Sequence, residues 1–164
     1  MMRKFFFLAA LFAAFLPMKA SASWQYTKWG MSVAQVVAAS KGVATQTSSD
    51  VADKQSPTDH SQMAKLSAPY SSGAFQFTAY FLFDRGGKLS CVNLVLASGD
   101  PDMLIGALRT KYGKPESEDK SSVTDSFVWY AGGDMVSILK IGDGAGSLTT
   151  VGYQPRMTAN NSGL

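Results

Sequence analysis

The sequence has few of the residues from which enzymes build metal sites and nucleophilic centres. Its 164 residues include one cysteine, Cys91, and one histidine, His60. A single cysteine excludes an internal disulfide bond, and one cysteine with one histidine cannot make a zinc site without carboxylate ligands. Neither a nucleophile-elbow motif nor the glycine spacing of a phosphate-binding loop is present. We therefore predict a protein that is not an enzyme and that needs no metal or cofactor.

The two chemically reactive side chains lie in unpromising surroundings. His60 follows Asp59 and precedes Ser61, but three consecutive residues of a polar loop cannot converge on a substrate as a catalytic triad must. Cys91 lies in the apolar run LSCVNLVLA, which favours a partly buried and unreactive thiol. The alternative is an envelope enzyme or a small-ligand carrier, with a pocket between sheet and helices and with Cys91 or His60 near it.

Long apolar runs are also missing, apart from one at the N-terminus. Residues 5–16 are apolar, which is too short for a bilayer span of about 20 residues. Arg3 and Lys4 precede this run, and Ala-Ser-Ala at positions 20–22 fits a cleavage site. We predict a signal peptide over residues 1–22, no integral membrane segment after its cleavage, and a periplasmic or secreted protein of a Gram-negative bacterium.

The basic charge of the chain belongs largely to that leader. The full sequence has 15 Lys and Arg residues against 12 Asp and Glu residues. Arg3, Lys4 and Lys19 lie in the leader, which holds no acidic residue, so 12 basic residues remain against 12 acidic ones. A mature domain with no net charge lacks the main electrostatic support for binding nucleic acid or anionic lipid. We predict that the protein does not bind nucleic acid.

Two short helices are marked by capping signals. Ser32 and Gln35 form a capping box, and Gly42 ends the helix that follows. Asp100 precedes Pro101, which is a helix start, and Gly113 with Pro115 ends that helix. Before the first helix, the stretch WQYTKWGMS is rich in aromatic residues. We interpret it as a hydrophobic hook that docks the first helix, and the alternative is a binding site at the mature N-terminus.

Alternating patterns predict the strands. AFQFTAYFLFD places phenylalanines on one face and Tyr80 and Leu82 on the other, and KLSCVNLVLA returns after a Gly-Gly turn. The further predicted strands are AKLSAPY, SFVWYA, MVSILKI and SLTTVGY. Residues 43–63 and the stretch PESEDKSSVTD are polar, and we predict a loop or ragged edge strand for the first and an exposed connection for the second.

These elements predict an α+β fold. We expect an antiparallel sheet with short helices packed on one face, built from two loose αβ(β) repeats. By length the mature chain is a single domain, over residues 23–153, and residues 154–164 form a flexible C-terminal tail.

Four segments of the chain together resemble a group of small bacterial envelope proteins. They are a Trp-Gly-Met-Ser start at residues 29–32, the phenylalanine-rich hairpin over residues 75–96, the KYGKP helix end and the Trp-bearing strand at residues 127–130. The group is similar in fold to the β-lactamase inhibitory protein repeat and to the SmpA/OmlA outer-membrane assembly lipoproteins. The resemblance implies protein binding without catalysis. The chain departs from the lipoproteins because Ala22 and Ser23 stand where they carry a lipidated cysteine.

Large amphipathic aromatic residues complete the functional prediction. Tyrosine and tryptophan often anchor protein interfaces, and in SFVWYA we expect Trp129 to be buried and Tyr130 to be exposed. Tyr80 and Leu82 lie opposite the phenylalanine face of their strand. We therefore predict that Tyr80, Leu82 and Tyr130 contact another envelope protein or a peptide through an exposed sheet face.

Overall fold

The computed structural model describes residues 24–143 and 146–156. The predicted signal peptide and residues 157–164 of the predicted tail lie outside the described residues. In chain order the elements are α1 (Val33–Ala39), β1 (Thr45–Gln46), α2 (Ser49–Gln55), β2 (Gln62–Ser72), β3 (Phe75–Asp84), β4 (Leu89–Ser98), α3 (Pro101–Tyr112), β5 (Ser117–Lys120), β6 (Thr124–Ala131), β7 (Asp134–Ile141) and β8 (Leu148–Pro155).

The described strands form one eight-stranded antiparallel sheet, in the order β1-β2-β3-β4-β8-β7-β6-β5. Each half of the chain is a helix followed by a four-stranded meander, with α2 inserted between β1 and β2 of the first half. The last strands of the two halves, β4 and β8, pair at the centre of the sheet. The predicted α+β class, with an antiparallel sheet and short helices, is confirmed.

The main core lies between the sheet and the helices α1 and α3. The phenylalanine face of β3 is buried as its alternation predicts, and Trp129 of β6 is 1% exposed. Trp129 also donates from its ring nitrogen to the carbonyl of Gly113, 3.0 Å away, which ties β6 to the end of α3. The largest fully buried side chains are Trp129, Phe81, Phe83, Phe127, Leu66, Leu82, Leu89, Ile138, Val36, Val92, Val136 and Val151.

The aromatic N-terminal segment docks on this core. Trp24 is 6% exposed, and its ring meets those of Tyr70 and Phe81 edge-on at centroid distances of 5.0 and 5.7 Å. The capping box of Ser32 and Gln35 is present at the start of α1. The hook interpretation is therefore confirmed.

Two polar segments contain three short elements: the edge strand β1 matches one of the two alternatives predicted for residues 43–63, whereas α2 and β5 were not predicted. Residues 43–63, predicted as a loop or an edge strand, contain both β1 and α2, and the predicted connection after Pro115 contains β5. The strands β1 and β5 are the two edges of the sheet, and their residues are exposed. An exposed edge strand has no buried face, so it needs no alternation of apolar residues. Strand β8 ends at Pro155, two residues beyond the predicted end of the domain.

The described helices are short, and the longest, α3, has 12 residues. Among the described residues, no helix has the length and apolar character needed to cross a membrane.

Candidate functional site

The face of the sheet opposite the main core carries the predicted contact residues, and we call it the outer face. In β6, β7 and β8 it consists of the residues that alternate with the core residues Trp129, Val136 and Val151. Within these three strands, all of whose residues are described, no outer-face side chain is charged. Those side chains are Thr124, Ser126, Val128, Tyr130, Met135, Ser137, Leu139, Ile141, Leu148, Thr150, Gly152 and Gln154.

Four large residues of this face are open to solvent. Tyr130 is 45% exposed, Leu139 38%, Ile141 42% and Leu148 50%. Ile141 pairs directly with Leu148 across β7 and β8, and Leu139 lies two residues from Ile141 on the same face. Leu139, Ile141 and Leu148 therefore form a continuous apolar surface, which we call the apolar patch.

Tyr130 lies at the other end of β7 from the apolar patch. It pairs with Met135 across β6 and β7. The guanidinium carbon of Arg156 lies 4.4 Å from the centre of its ring, which is within the range of a cation–π contact. The residue remains 45% exposed beside this contact, so it can serve as an anchor.

The three predicted contact residues have different surroundings. Tyr130 is exposed as predicted. Tyr80 is half-buried, and Leu82 is 1% exposed because it packs with Ala64 and Cys91 in a second, smaller core on the outer face. The prediction that Leu82 is exposed is wrong, because the sequence pattern identifies the face but not its cover.

The predicted residues also do not form one cluster. Tyr80 lies in β3 and Tyr130 in β6, which are four strand spacings apart in the sheet, or about 19 Å. The sequence reasoning missed Leu139, Ile141 and Leu148. The run MVSILKI carries apolar residues at both parities, and this was the available signal that both faces of β7 are apolar.

The helix α2 belongs to the end of the sheet that carries the second core. It contacts β2, and the hydroxyl of Ser56, just after the helix, accepts a hydrogen bond from the N–H of Ala64 at 3.1 Å. The other end of the outer face, formed by β6, β7 and β8, is where the exposed large residues lie.

The residues of the alternative prediction have little reactive character. Burial raises the pKa of the Cys91 thiol to about 12, and its sulfur lies 3.4 Å from the side-chain oxygen of Asn93. His60 is exposed in a turn with a φ of 49°. The Asp59 carboxylate accepts from the backbone N–H of Ser61 at 3.0 Å, so this polar stretch makes a local turn.

The pocket that the alternative prediction requires has a counterpart in the fold. A cavity of about 300 Å³ lies between α3 and the core face of the sheet. A smaller polar cavity of about 210 Å³ shares Tyr70, Lys111 and Tyr153 with it. Neither His60 nor Cys91 lines either cavity.

Acidic residues cluster at one place, around the ammonium group of Lys140. It lies 3.0 Å from Asp102, 3.8 Å from Asp125 and 3.6 Å from Asp143. The hydrogen bond with Asp102 raises the pKa of Lys140, and the other two carboxylates act in the same direction. This cluster connects the start of α3 to β7, and the positive charge that pairs with the three carboxylates is that of Lys140. Among the described residues no group of His, Cys, Asp and Glu is arranged to hold a metal ion.

Comparison with known proteins adds no relative to this picture. No family model matches the chain, and neither a curated protein nor a solved structure matches it. The resemblance to the β-lactamase inhibitory protein repeat and to the SmpA/OmlA lipoproteins stays a prediction.

Proposed function

We propose that this protein is a non-catalytic protein of the periplasm or the extracellular space that binds another protein through the outer face of β6, β7 and β8. The observation that carries the proposal is the charge-free outer face of these strands, on which Leu139, Ile141 and Leu148 form an exposed apolar patch. Its predicted partner is another envelope protein or a peptide.

The composition of the face favours a protein partner. The buried centres of protein interfaces are depleted in charged residues and enriched in aromatic residues and methionine. Tyr130 and Met135 pair at one end of β7, and the apolar patch lies at the other. Contiguous exposed apolar surface on a soluble protein marks an interaction site.

The same composition specifies the chemistry of the partner. The strands offer no charge on this face, and Arg156 lies only at the Tyr130 end. We therefore propose a partner surface that is itself apolar and uncharged where it meets the apolar patch. Association would then depend on apolar burial and shape, and its affinity should change little with salt concentration, because screening acts on charges.

Site-specific photo-cross-linking in cells that produce the protein tests the proposal. A photoreactive residue at Leu139 should give a discrete adduct with one partner protein, identified by mass spectrometry. The matched control is Met103, which is 66% exposed on α3 and therefore lies on the helix side of the sheet. A photoreactive residue at Met103 should not give this adduct.

A second variant separates docking from chance proximity. Ile141→Glu places a charge in the apolar patch at a position that is 42% exposed, so it should leave folding intact and abolish the adduct from Leu139. The same adducts from Leu139 and Met103 would refute docking on the outer face. An adduct with the mass of two copies of this chain would show that the outer face binds a second copy of this protein instead of a different protein.

A further inference from the structure

The helices are too narrow to cover the core face of the sheet. Eight strands span about 38 Å, whereas one helix with its side chains is about 10 Å across. The helix α3 lies against β6, where the guanidinium carbon of Arg109 stands 5.0 Å from the centre of the Phe127 ring. Space is therefore left between α3 and the strands at the centre of the sheet.

The cavity of about 300 Å³ occupies this space. Its walls come from the end of β2, from β3, β4 and β8, and from one side of α3. Most of its lining is aromatic or aliphatic, and of the described residues that line it, Lys111 alone carries a charge. The apolar lining residues are Phe75, Phe77, Leu94, Leu104, Ala107, Leu108 and Val151.

The second cavity makes the space amphipathic. It adjoins the first through Tyr70, Lys111 and Tyr153, and its lining includes Gln25 and Asp134. The side chain of Gln25 donates to the hydroxyl of Tyr70 at 3.1 Å. An apolar cavity therefore adjoins a polar one, and Lys111 and two tyrosines line both.

The charge of Lys111 is available to a ligand. Within residues 24–143 and 146–156 its ammonium group makes no ion pair, and it lies 4.9 Å from the centre of the Tyr112 ring. The neighbouring acid, Asp134, accepts a hydrogen bond of 2.7 Å from the ring nitrogen of Trp29 instead.

From this arrangement we propose a second binding site, for a small amphiphile with an apolar chain and a single carboxylate. The chain would lie in the apolar cavity, and the carboxylate would bind Lys111. A cavity of about 300 Å³ accommodates about ten non-hydrogen atoms, if each takes the ~30 Å³ of a water molecule in the liquid. Octanoate has this size, and it serves as the probe.

Calorimetric titration of the protein with octanoate and with octanol tests whether the ligand carboxylate binds the charge of Lys111. We expect octanoate to bind about tenfold more tightly than octanol, because a charge-assisted hydrogen bond is stronger than a neutral one. Lys111→Met should remove this preference. The matched control Lys114→Met, an exposed lysine outside both cavities, should keep it.

A second pair of variants tests the cavity itself. Ala107 is exposed on α3 and lines the cavity of about 300 Å³. Ala107→Phe should fill this cavity and abolish octanoate binding. Thr110→Phe, on the same helix but outside the lining, should bind octanoate as the unaltered protein does. Equal affinity for octanoate and octanol, binding that survives Ala107→Phe, or an absence of octanoate binding would each overturn the proposal.

The site is independent of the proposed partner face. Ile141→Glu lies on the outer face and lines neither cavity, so it should leave octanoate binding unchanged. Loss of octanoate binding in this variant, with the fold intact, would overturn the assignment of the ligand to the helix side of the sheet.

Discussion

Trp24 and Trp29 belong to the same N-terminal hook, but different interactions hold them. Trp24 is buried in an aromatic cluster with Tyr70 and Phe81. Trp29 is half-buried, and its ring nitrogen donates to Asp134, which is 105 residues away in the chain. Burial raises the pKa of the Asp134 carboxyl, and the hydrogen bond from Trp29 opposes this shift. The sequence indicates the hook, but it cannot show which of the two tryptophans is more deeply buried, because their contact partners are far away in the chain.

Substitution of the two tryptophans should therefore have unequal effects. Trp24→Ala should lower the free energy of unfolding by ~3–5 kcal/mol, since it leaves a cavity in the core. Trp29→Phe keeps most of the ring and loses one hydrogen bond, so it should cost about 1 kcal/mol. Urea denaturation of both variants measures the difference. Similar losses for the two variants would contradict this division of roles.

The helices differ in how clearly local sequence defines them. In α1 the Ser32 hydroxyl accepts from the N–H of Gln35 at 3.3 Å. In α3 the Asp100 carboxylate accepts from the N–H groups of Asp102 and Met103, both at 2.9 Å. The N-cap of α2, Ser48, makes no such bond. The helices α1 and α3 can be predicted from their caps, whereas α2 depends on its contact with β2.

Removal of the caps should separate these cases. Ser32→Ala and Asp100→Ala should each lower the free energy of unfolding by about 1 kcal/mol, because each leaves helical N–H groups without an acceptor. Ser48→Ala is the matched control, and its effect should stay within about 0.5 kcal/mol. The midpoints of urea denaturation report all three values. A loss for Ser48→Ala as large as the other two would show that α2 is capped like α1.

At the scale of the whole molecule, the two halves share one sheet and one main core. The strands β4 and β8 pair from Val92–Tyr153 to Val95–Thr150, and residues of both halves contribute to the main core. Val151, which is 1% exposed, lies at this junction opposite Leu94 of β4 and Ile138 of β7. A disturbance at the junction should therefore reach both halves.

Val151→Ala tests this coupling. It should lower the free energy of unfolding by ~2 kcal/mol through lost burial and a small cavity. Hydrogen exchange should accelerate together in β3 and β6, since the two halves unfold in one transition. Val123→Ala, at a position that is 64% exposed, is the control and should change neither quantity. Faster exchange in β6 alone, or two unfolding transitions, would show that the halves are independent.

The sequence by itself determined the strands with clear alternation, the two capped helices and the aromatic hook, because each depends on residues close together in the chain. Tertiary structure decided the edge strands β1 and β5, the burial of Leu82 and the openness of the apolar patch. Alternation shows which residues share a face of a strand, but the cover of that face comes from segments far away in sequence. The cavity beside α3 has the same origin, since its lining comes from both halves of the chain and exists only when they pair.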